Sequence, residues 1–251
     1  MTLRGARVLV TRAAEDAESL EILLRERGAT PVRMPCIAFE DVADVPDVPE
    51  DPHVPEDPHV PEHWRADLIV VSSPHAARRL RALIARLRIP VAAVGAGTAA
   101  ELPGEVIVPH SGVGADALIE ELRDRVRGKF VLVPRAEGGN PALITELEKA
   151  GARVSAITLY RTVTPGSADP EVLRDLREGR IDAISFASGS AVRGFVALAG
   201  AGSAARCAVA CIGAPTAAVA AEVGIGVDSY GDEGLSGLCD ALALAVSKRK
   251  G

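Results

Sequence analysis

The stretch RVSAITLYRTVT, Arg153–Thr164, decides the fold. Val154, Ile157, Leu159 and Val163 are apolar and β-prone, and Gly151 and Pro165 bound the run, so it reads as a strand. A helical pattern, Pro141–Ala150, leads into it, and the loop TPGSADP follows. It holds one of two tyrosines in the chain, Tyr160, beside Arg161.

Working outward, short apolar runs alternate with helical patterns on both sides. Upstream lie the strands Leu68–Ser72, Pro90–Val94, Val106–Val108 and Phe130–Val133, with helices Pro74–Leu87, Thr98–Leu102 and Ala115–Val126 among them. Downstream lie strands Ala183–Phe186, Ala208–Ile212 and Ile225–Val227, with helices Glu171–Glu178, Ala191–Leu198, Thr216–Val223 and Leu235–Val246. The chain opens with strand Arg7–Thr11, helix Glu15–Arg27 and a second strand, Thr30–Phe39. This alternation predicts an α/β fold of parallel sheets covered on both faces. Two proline-rich breaks interrupt it, Pro165–Pro170 and Val42–His63. The second holds the hexamer PEDPHV twice and reads as an exposed linker. Its His53, His59 and His63 read as solvated histidines rather than metal ligands.

The chain also repeats itself. VLVTR ending at Arg12 precedes Gly28 by the same interval as VLVPR ending at Arg135 precedes Gly151. DLIVVSSPHA from Asp67 matches DAISFASGSA from Asp182, AVGAGTAA from Ala93 matches CIGAPTAA from Cys211, and GADALIEEL from Gly114 matches GLSGLCDAL from Gly234. Four matches in one order mark two similar α/β units. Because domain crossings favour exposed, proline-rich segments, the two breaks predict interleaving. Domain 1 is then residues 1–40 with 165–251. Domain 2 is 41–164, carrying the Pro-rich loop 42–63. Thr30–Phe39 and Arg153–Thr164 are the paired crossings.

Composition excludes several function classes. A net charge of −6 argues against nucleic acid as a partner, which requires a basic face. No apolar run is long enough to span a membrane and no leader is evident, so a cytoplasmic, soluble monomer is expected. Cys36, Cys207, Cys211 and Cys239 form no CxxC pair and read as buried thiols. Arginine greatly outnumbers lysine, so arginine forks are the tool for holding anions.

In parallel sheets, ligands bind beyond the carboxyl ends of the strands. The turns there are rich in glycine and hydroxyl residues: Ser72-Ser73-Pro74, Gly95-Ala96-Gly97-Thr98, Ser188-Gly189-Ser190 and Gly213-Ala214-Pro215-Thr216. Singly, each reads as a helix cap. Together they suit a polyanionic ligand, with Arg12 and Arg135 at matched strand ends. GAGTAA at Gly95 fits a dinucleotide fingerprint formally, but it follows a late strand and its partner GAPTAA lacks the second glycine. His75 and His110 lie near strand ends. Tyr160 either packs or donates a proton.

The ordered set VLVTR, DLIVVSSPHAARRL, AVGAGTAAEL, VLVPRAEGGNPALITELEKAGARV, LYRT, DAISFASGSAV and CIGAPTAAVAAEVG resembles the uroporphyrinogen-III synthase family over nearly the whole chain except the PEDPHV insert. The resemblance implies two flavodoxin-like (Rossmann-type) domains, interleaved and joined by a two-stranded connector, with the active site in the cleft. It implies a cofactor-independent lyase that cyclises hydroxymethylbilane, a linear tetrapyrrole octacarboxylate, to uroporphyrinogen III, with loss of water and inversion of the last pyrrole. Tyr160 would assist departure of the hydroxyl. Arg12, Ser72, Ser73, Gly95, Thr98, Arg135, Ser188, Ser190 and Thr216 would bind substrate, with Arg161 helping to offset the negative net charge. Where many relatives have FTS-P, this chain has FASGS at Phe186–Ser190. The competing reading is a non-catalytic two-domain anion-binding protein of the periplasmic kind.

Overall fold

A computed structural model describes residues 2–42, 62–112, 114–139, 141–231 and 234–250. Most of the Pro-rich segment 42–63, with His53, His59 and the side chain of His63, lies outside them, as do Val113, Asn140, Asp232 and Glu233. In chain order the elements are β1 (Arg7–Val10), α1 (Glu18–Glu26), β2 (Thr30–Arg33), β3 (Ala38–Asp41), β4 (Leu68–Val71), α2 (Pro74–Leu87), β5 (Val91–Ala93), α3 (Ala96–Ala99), β6 (Val106–Ile107), α4 (Ala115–Leu122), β7 (Phe130–Ala136), α5 (Ala142–Lys149) and β8 (Arg153–Val163). They continue with α6 (Pro170–Arg177), β9 (Ala183–Phe186), α7 (Gly189–Ala199), β10 (Ala208–Cys211), α8 (Ala214–Glu222), β11 (Ser229–Tyr230) and α9 (Gly234–Lys250).

The chain divides into two units, Met1–Phe39 with Thr162–Gly251, and Glu40–Arg161. In the first, the sheet order is β11-β10-β9-β1-β2, all pairs parallel. Numbered from the amino end of this unit, that is 2-1-3-4-5, the flavodoxin-like order. In the second unit the order is β3-β8-β7-β4-β5-β6. Its five parallel strands repeat the order if β7 and β8 take the places of β1 and β2. Each sheet therefore joins the first two strands of one repeat copy to the last three of the other.

The two copies share their hydrogen bonds. Asp182 Oδ2 accepts the Arg7 N–H at 2.8 Å, and Asp67 Oδ2 accepts the Phe130 N–H at 2.8 Å. Gly5 N–H donates to Gly28 O, and Gly128 N–H to Gly151 O. Ala29 N–H reaches back to Leu24 O, and Ala152 N–H to Leu147 O, each closing a helix. Gly28 (φ +82°) and Gly151 (φ +93°) take the left-handed turn that follows, which costs a side-chain-bearing residue about 1 kcal/mol or more.

Each sheet is covered on both faces. Val8 and Val10 of β1 pack with Leu20, Leu24, Leu238 and Leu242 of α1 and α9. Leu9, pointing the other way, packs with Val192, Phe195 and Ala220 of α7 and α8. Phe186 and Phe195 meet edge to face at 5.5 Å. In the second unit, Leu68, Val70, Val131 and Val133 pack against Leu118, Leu122, Leu143 and Leu147. Fully burying each such side chain contributes about 1.5–3 kcal/mol.

The structure corrects several sequence expectations. Thr30–Phe39 is not one strand. It breaks between β2 and β3, and the two pieces join different sheets. Pro35 has no N–H to give a ladder. Its neighbours Met34 and Cys36 turn inward and donate from their backbones to Val10 O and Thr11 O. The strand expected at Ile225–Val227 lies later, at Ser229–Tyr230. Asp228 pins the register: its carboxylate accepts the Val209 N–H at 2.8 Å and its own N–H donates to Val209 O. Ile225 instead closes α8 and is buried. The helix expected at Thr98–Leu102 is a single turn, Ala96–Ala99.

Candidate active site

In the second unit the candidate residues gather at the carboxyl edge of the sheet, where strand order reverses between β7 and β4. Ser72 and Ser73 follow β4, Arg135 ends β7, and Tyr160 lies late in β8. Ser73 caps α2: its Oγ accepts the Ala76 N–H at 3.0 Å, and Pro74 follows as the first helical residue. Such a cap contributes about 1 kcal/mol to the helix.

Tyr160 reaches this edge through an irregularity. β8 pairs with β7 residue for residue from Arg153 to Thr158, opposite Arg135. Ala136 is then paired with Tyr160, so Leu159 is an extra residue and β8 bulges. Leu159 and Tyr160 are consequently both buried, at 1% and 5% exposure, where a regular strand would send one of them outward. Glu137 N–H donates to Tyr160 O at 2.7 Å and fixes the bulged strand. The Tyr160 hydroxyl lies 2.9 Å from Ser73 Oγ, and its ring meets His75 edge-on with centroids 4.4 Å apart.

Tyr160 borders a cavity of about 160 Å³, lined also by Ser72, Val133, Arg135, Ala136 and Leu143 among others. Its volume suits one small ring or one carboxylate arm, not the whole of a large ligand. Arg135 enters it with its Nε 3.4 Å from Ala136 O. Gly139 lies beside it; a methyl there would sit 3.1 Å from Ala136 O. Gly95, in extended conformation, caps α3, and Thr98 is 5% exposed. A larger cavity of about 850 Å³ lies along β6; His110 lines it, but neither Tyr160 nor any of the expected substrate-binding residues does.

Arg161 is not available as a bare charge. Both its Nε and Nη2 donate to Glu40, at 3.0 and 2.8 Å, and those hydrogen bonds raise its pKa above the usual arginine value.

In the first unit, taken by itself, Arg12 follows β1, Ser188 and Ser190 follow β9, and Thr216 follows β10. All lie at the carboxyl edge of that sheet. Ser188 caps α7 by accepting the Ala191 N–H at 3.2 Å, the counterpart of Ser73. Ser190 is exposed on the first turn, and Thr216 is 6% exposed. Arg12 Nε donates to Asp16 O at 2.9 Å. The pairing of Tyr160 with Ser73 is what sequence reasoning missed, because the two are far apart in the chain and the bulge leaves no mark on composition.

Two flavodoxin-like units, each with a serine-capped helix at the carboxyl edge of a parallel sheet, define a two-domain α/β class, and that edge is where such sheets offer a ligand site. The chain belongs to the uroporphyrinogen-III synthase family: the family model for uroporphyrinogen-III synthase HemD matches residues 18–233. It is 28% identical over 208 residues to the uroporphyrinogen-III synthase of Synechococcus elongatus, covering 78% of this chain and 75% of that one. It is 33% identical over 133 residues to a putative uroporphyrinogen-III synthase of Archaeoglobus fulgidus, covering 53% and 58%. Among solved structures, uroporphyrinogen-III synthetase from Helicobacter pylori shares the fold with a TM-score of 0.62 at 18% identity, over 98% of this chain and all of that one. A mutant Thermus thermophilus uroporphyrinogen III synthase aligns with a TM-score of 0.50 at 20% identity, over 97% of this chain and all of that one. The family places the chain among enzymes of tetrapyrrole biosynthesis. Among the described residues, no helix is long and apolar enough to cross a membrane.

Proposed function

We propose that this protein is a uroporphyrinogen-III synthase acting on hydroxymethylbilane, with Tyr160 assisting loss of the substrate hydroxyl. The observation that carries the residue assignment is the Tyr160 hydroxyl, held 2.9 Å from the α2 cap serine at the switch point of the second unit's sheet.

In the first step the C–O bond of the hydroxymethyl group breaks. The electron pair goes to oxygen, which takes the Tyr160 proton and leaves as water. The pyrrole nitrogen lone pair stabilises the carbon left behind. The terminal pyrrole at the other end then attacks that carbon through its substituted α-carbon to give a spiro intermediate; its old bond to the bridging methylene breaks, and its free α-carbon bonds to that methylene instead, which inverts the ring. The proton finally lost from carbon restores the phenol. General-acid help of this kind contributes about 10²–10⁴-fold, and holding the folded conformer of the substrate contributes separately. Ser72, Ser73, Gly95, Thr98 and Arg135 in one unit, and Arg12, Ser188, Ser190 and Thr216 in the other, serve the substrate carboxylates. The reaction as written is a lyase step that needs no metal or organic cofactor.

The test is incubation with fresh hydroxymethylbilane, oxidation of the products, and chromatographic separation of isomers I and III. An excess of III over the enzyme-free control is expected. A product mixture identical to that control rejects the reading.

A further inference from the structure

We infer that Ser73 is a positioning residue that sets the direction of the Tyr160 proton: its hydroxyl donates to Tyr160 Oη, so the phenol O–H points away from Ser73 and toward the reacting group. The inference rests on the synthase reading and deepens it.

A serine hydroxyl has one hydrogen and two lone pairs. One lone pair of Ser73 is committed to the Ala76 N–H at 3.0 Å, which fixes the rotamer and therefore the position of Oγ. The hydrogen needs an acceptor, and among the described residues Tyr160 Oη, at 2.9 Å, is the acceptor in reach. Were the phenol the donor, Oγ would receive two hydrogens while its own had no acceptor among the described residues, at a cost of about 1–3 kcal/mol if water were excluded. A donated N–H also polarises the serine O–H and makes it the better donor.

The repeat isolates this function. Ser188 holds the same cap in the first unit, at 3.2 Å from Ala191 N. By the repeat spacing, the place of Tyr160 in that copy belongs to Ile37. The cap recurs without the phenol, so capping alone does not call for one. In the second unit the bulge at Leu159 brings Tyr160 to the capped serine.

Three substitutions separate the cap from the donated hydrogen. Ser73→Asp keeps an efficient cap but has no hydrogen to donate at neutral pH. It is expected to hold the wild-type thermal midpoint, to lose about tenfold or more in kcat at saturating substrate, and to release more isomer I, while KM rises because the new carboxylate faces an anionic substrate. Ser73→Thr keeps both functions and is expected to remain within about threefold of wild type. Wild-type kcat and isomer ratio in Ser73→Asp overturn the inference. So does equal loss in Ser73→Thr. The third arm is independent of turnover: in Ser73→Ala, the pH at which the Tyr160 phenol ionises, read from phenolate ultraviolet absorbance, is expected to rise, because a hydrogen-bond donor to the phenolate is gone. A fall or no change overturns the donor direction, whatever the activity. Absence of isomer III from the wild type removes the synthase reading, while the absorbance titration still decides the hydrogen bond.

Discussion

Replacing Gly194 with alanine is expected to reverse the usual sign of that substitution. Gly194 lies mid-way along α7, where alanine is favoured over glycine by about 1 kcal/mol on propensity alone. Here an added Cβ would fall 1.8 Å from Cys36 O, 2.8 Å from Cys36 C and 3.3 Å from Cys36 Cβ. Ordinary heavy-atom contact is about 3.5 Å, so roughly 1.7 Å of separation must be found. The carbonyl cannot give way freely. Cys36 N–H is bound to Thr11 O at 3.0 Å, Met34 N–H to Val10 O at 3.0 Å, and both side chains are fully enclosed. Overpacking of this kind costs about 1–3 kcal/mol or more, and losing one backbone bond adds about 1 kcal/mol. Set against the propensity gain, the net is a destabilisation of about 1–3 kcal/mol. At this chain length that corresponds to a fall in Tm of roughly 2–4 °C per kcal/mol. Far-ultraviolet circular dichroism against temperature and against urea measures it. Gly202→Ala, where nothing lies within 4 Å of the added carbon, is the control and is expected to be near neutral. A Gly194→Ala protein as stable as wild type, or more so, refutes the packing of α7 on the segment after β2.

Two further outcomes follow from buried titratable groups. Glu21, 2% exposed, is held below the ordinary carboxylate value of 4.5 chiefly by its hydrogen bond from Arg33, assisted by Arg25 and opposed by burial. A folded pKa below the unfolded one means stability that is complete above 4.5 and is lost as pH falls through the lower folded value. The unfolding midpoint should therefore fall in acid, less steeply in Glu21→Gln; equal steepness in both would exclude Glu21 as a cause. Burial pushes the thiols of Cys36 and Cys211 up to about 12 and, as the main cause, that of Cys207 to about 11. The native protein should resist alkylation at mildly alkaline pH and react at all four cysteines once unfolded; rapid labelling of Cys36 in the native state would contradict its enclosure.

The interleaved architecture was legible because folding imposes the same demands on both copies. Asp67 and Asp182 accept at matched strand starts, and Gly28 and Gly151 share a positive φ, so residue types recur at fixed spacing. The serine caps were legible for the same reason, since a helix start after a strand end leaves a short choice of residues. What escaped the sequence was register. Pro35 breaks a run whose apolar residues look continuous, and the break sends β2 and β3 to different sheets. Asp228 delays β11 by anchoring the backbone, which no apolar pattern reports. The bulge at Leu159 defeats period-two reasoning outright, because it buries neighbouring residues. Tyr160 was therefore visible as a residue but not as the partner of Ser73.

The central claim is that this family member uses Tyr160 to release the substrate hydroxyl, and the isomer ratio from Tyr160→Phe tests it most directly. The phenyl ring keeps the packing against His75 while the donated proton is lost. With hydroxymethylbilane under single-turnover conditions, Tyr160→Phe is expected to stay folded with a Tm only a few degrees lower through loss of the Ser73 hydrogen bond, to close the ring about 10²-fold or more slowly, and to let isomer I accumulate from spontaneous cyclisation. Unchanged rate and an unchanged proportion of isomer III would contradict the account.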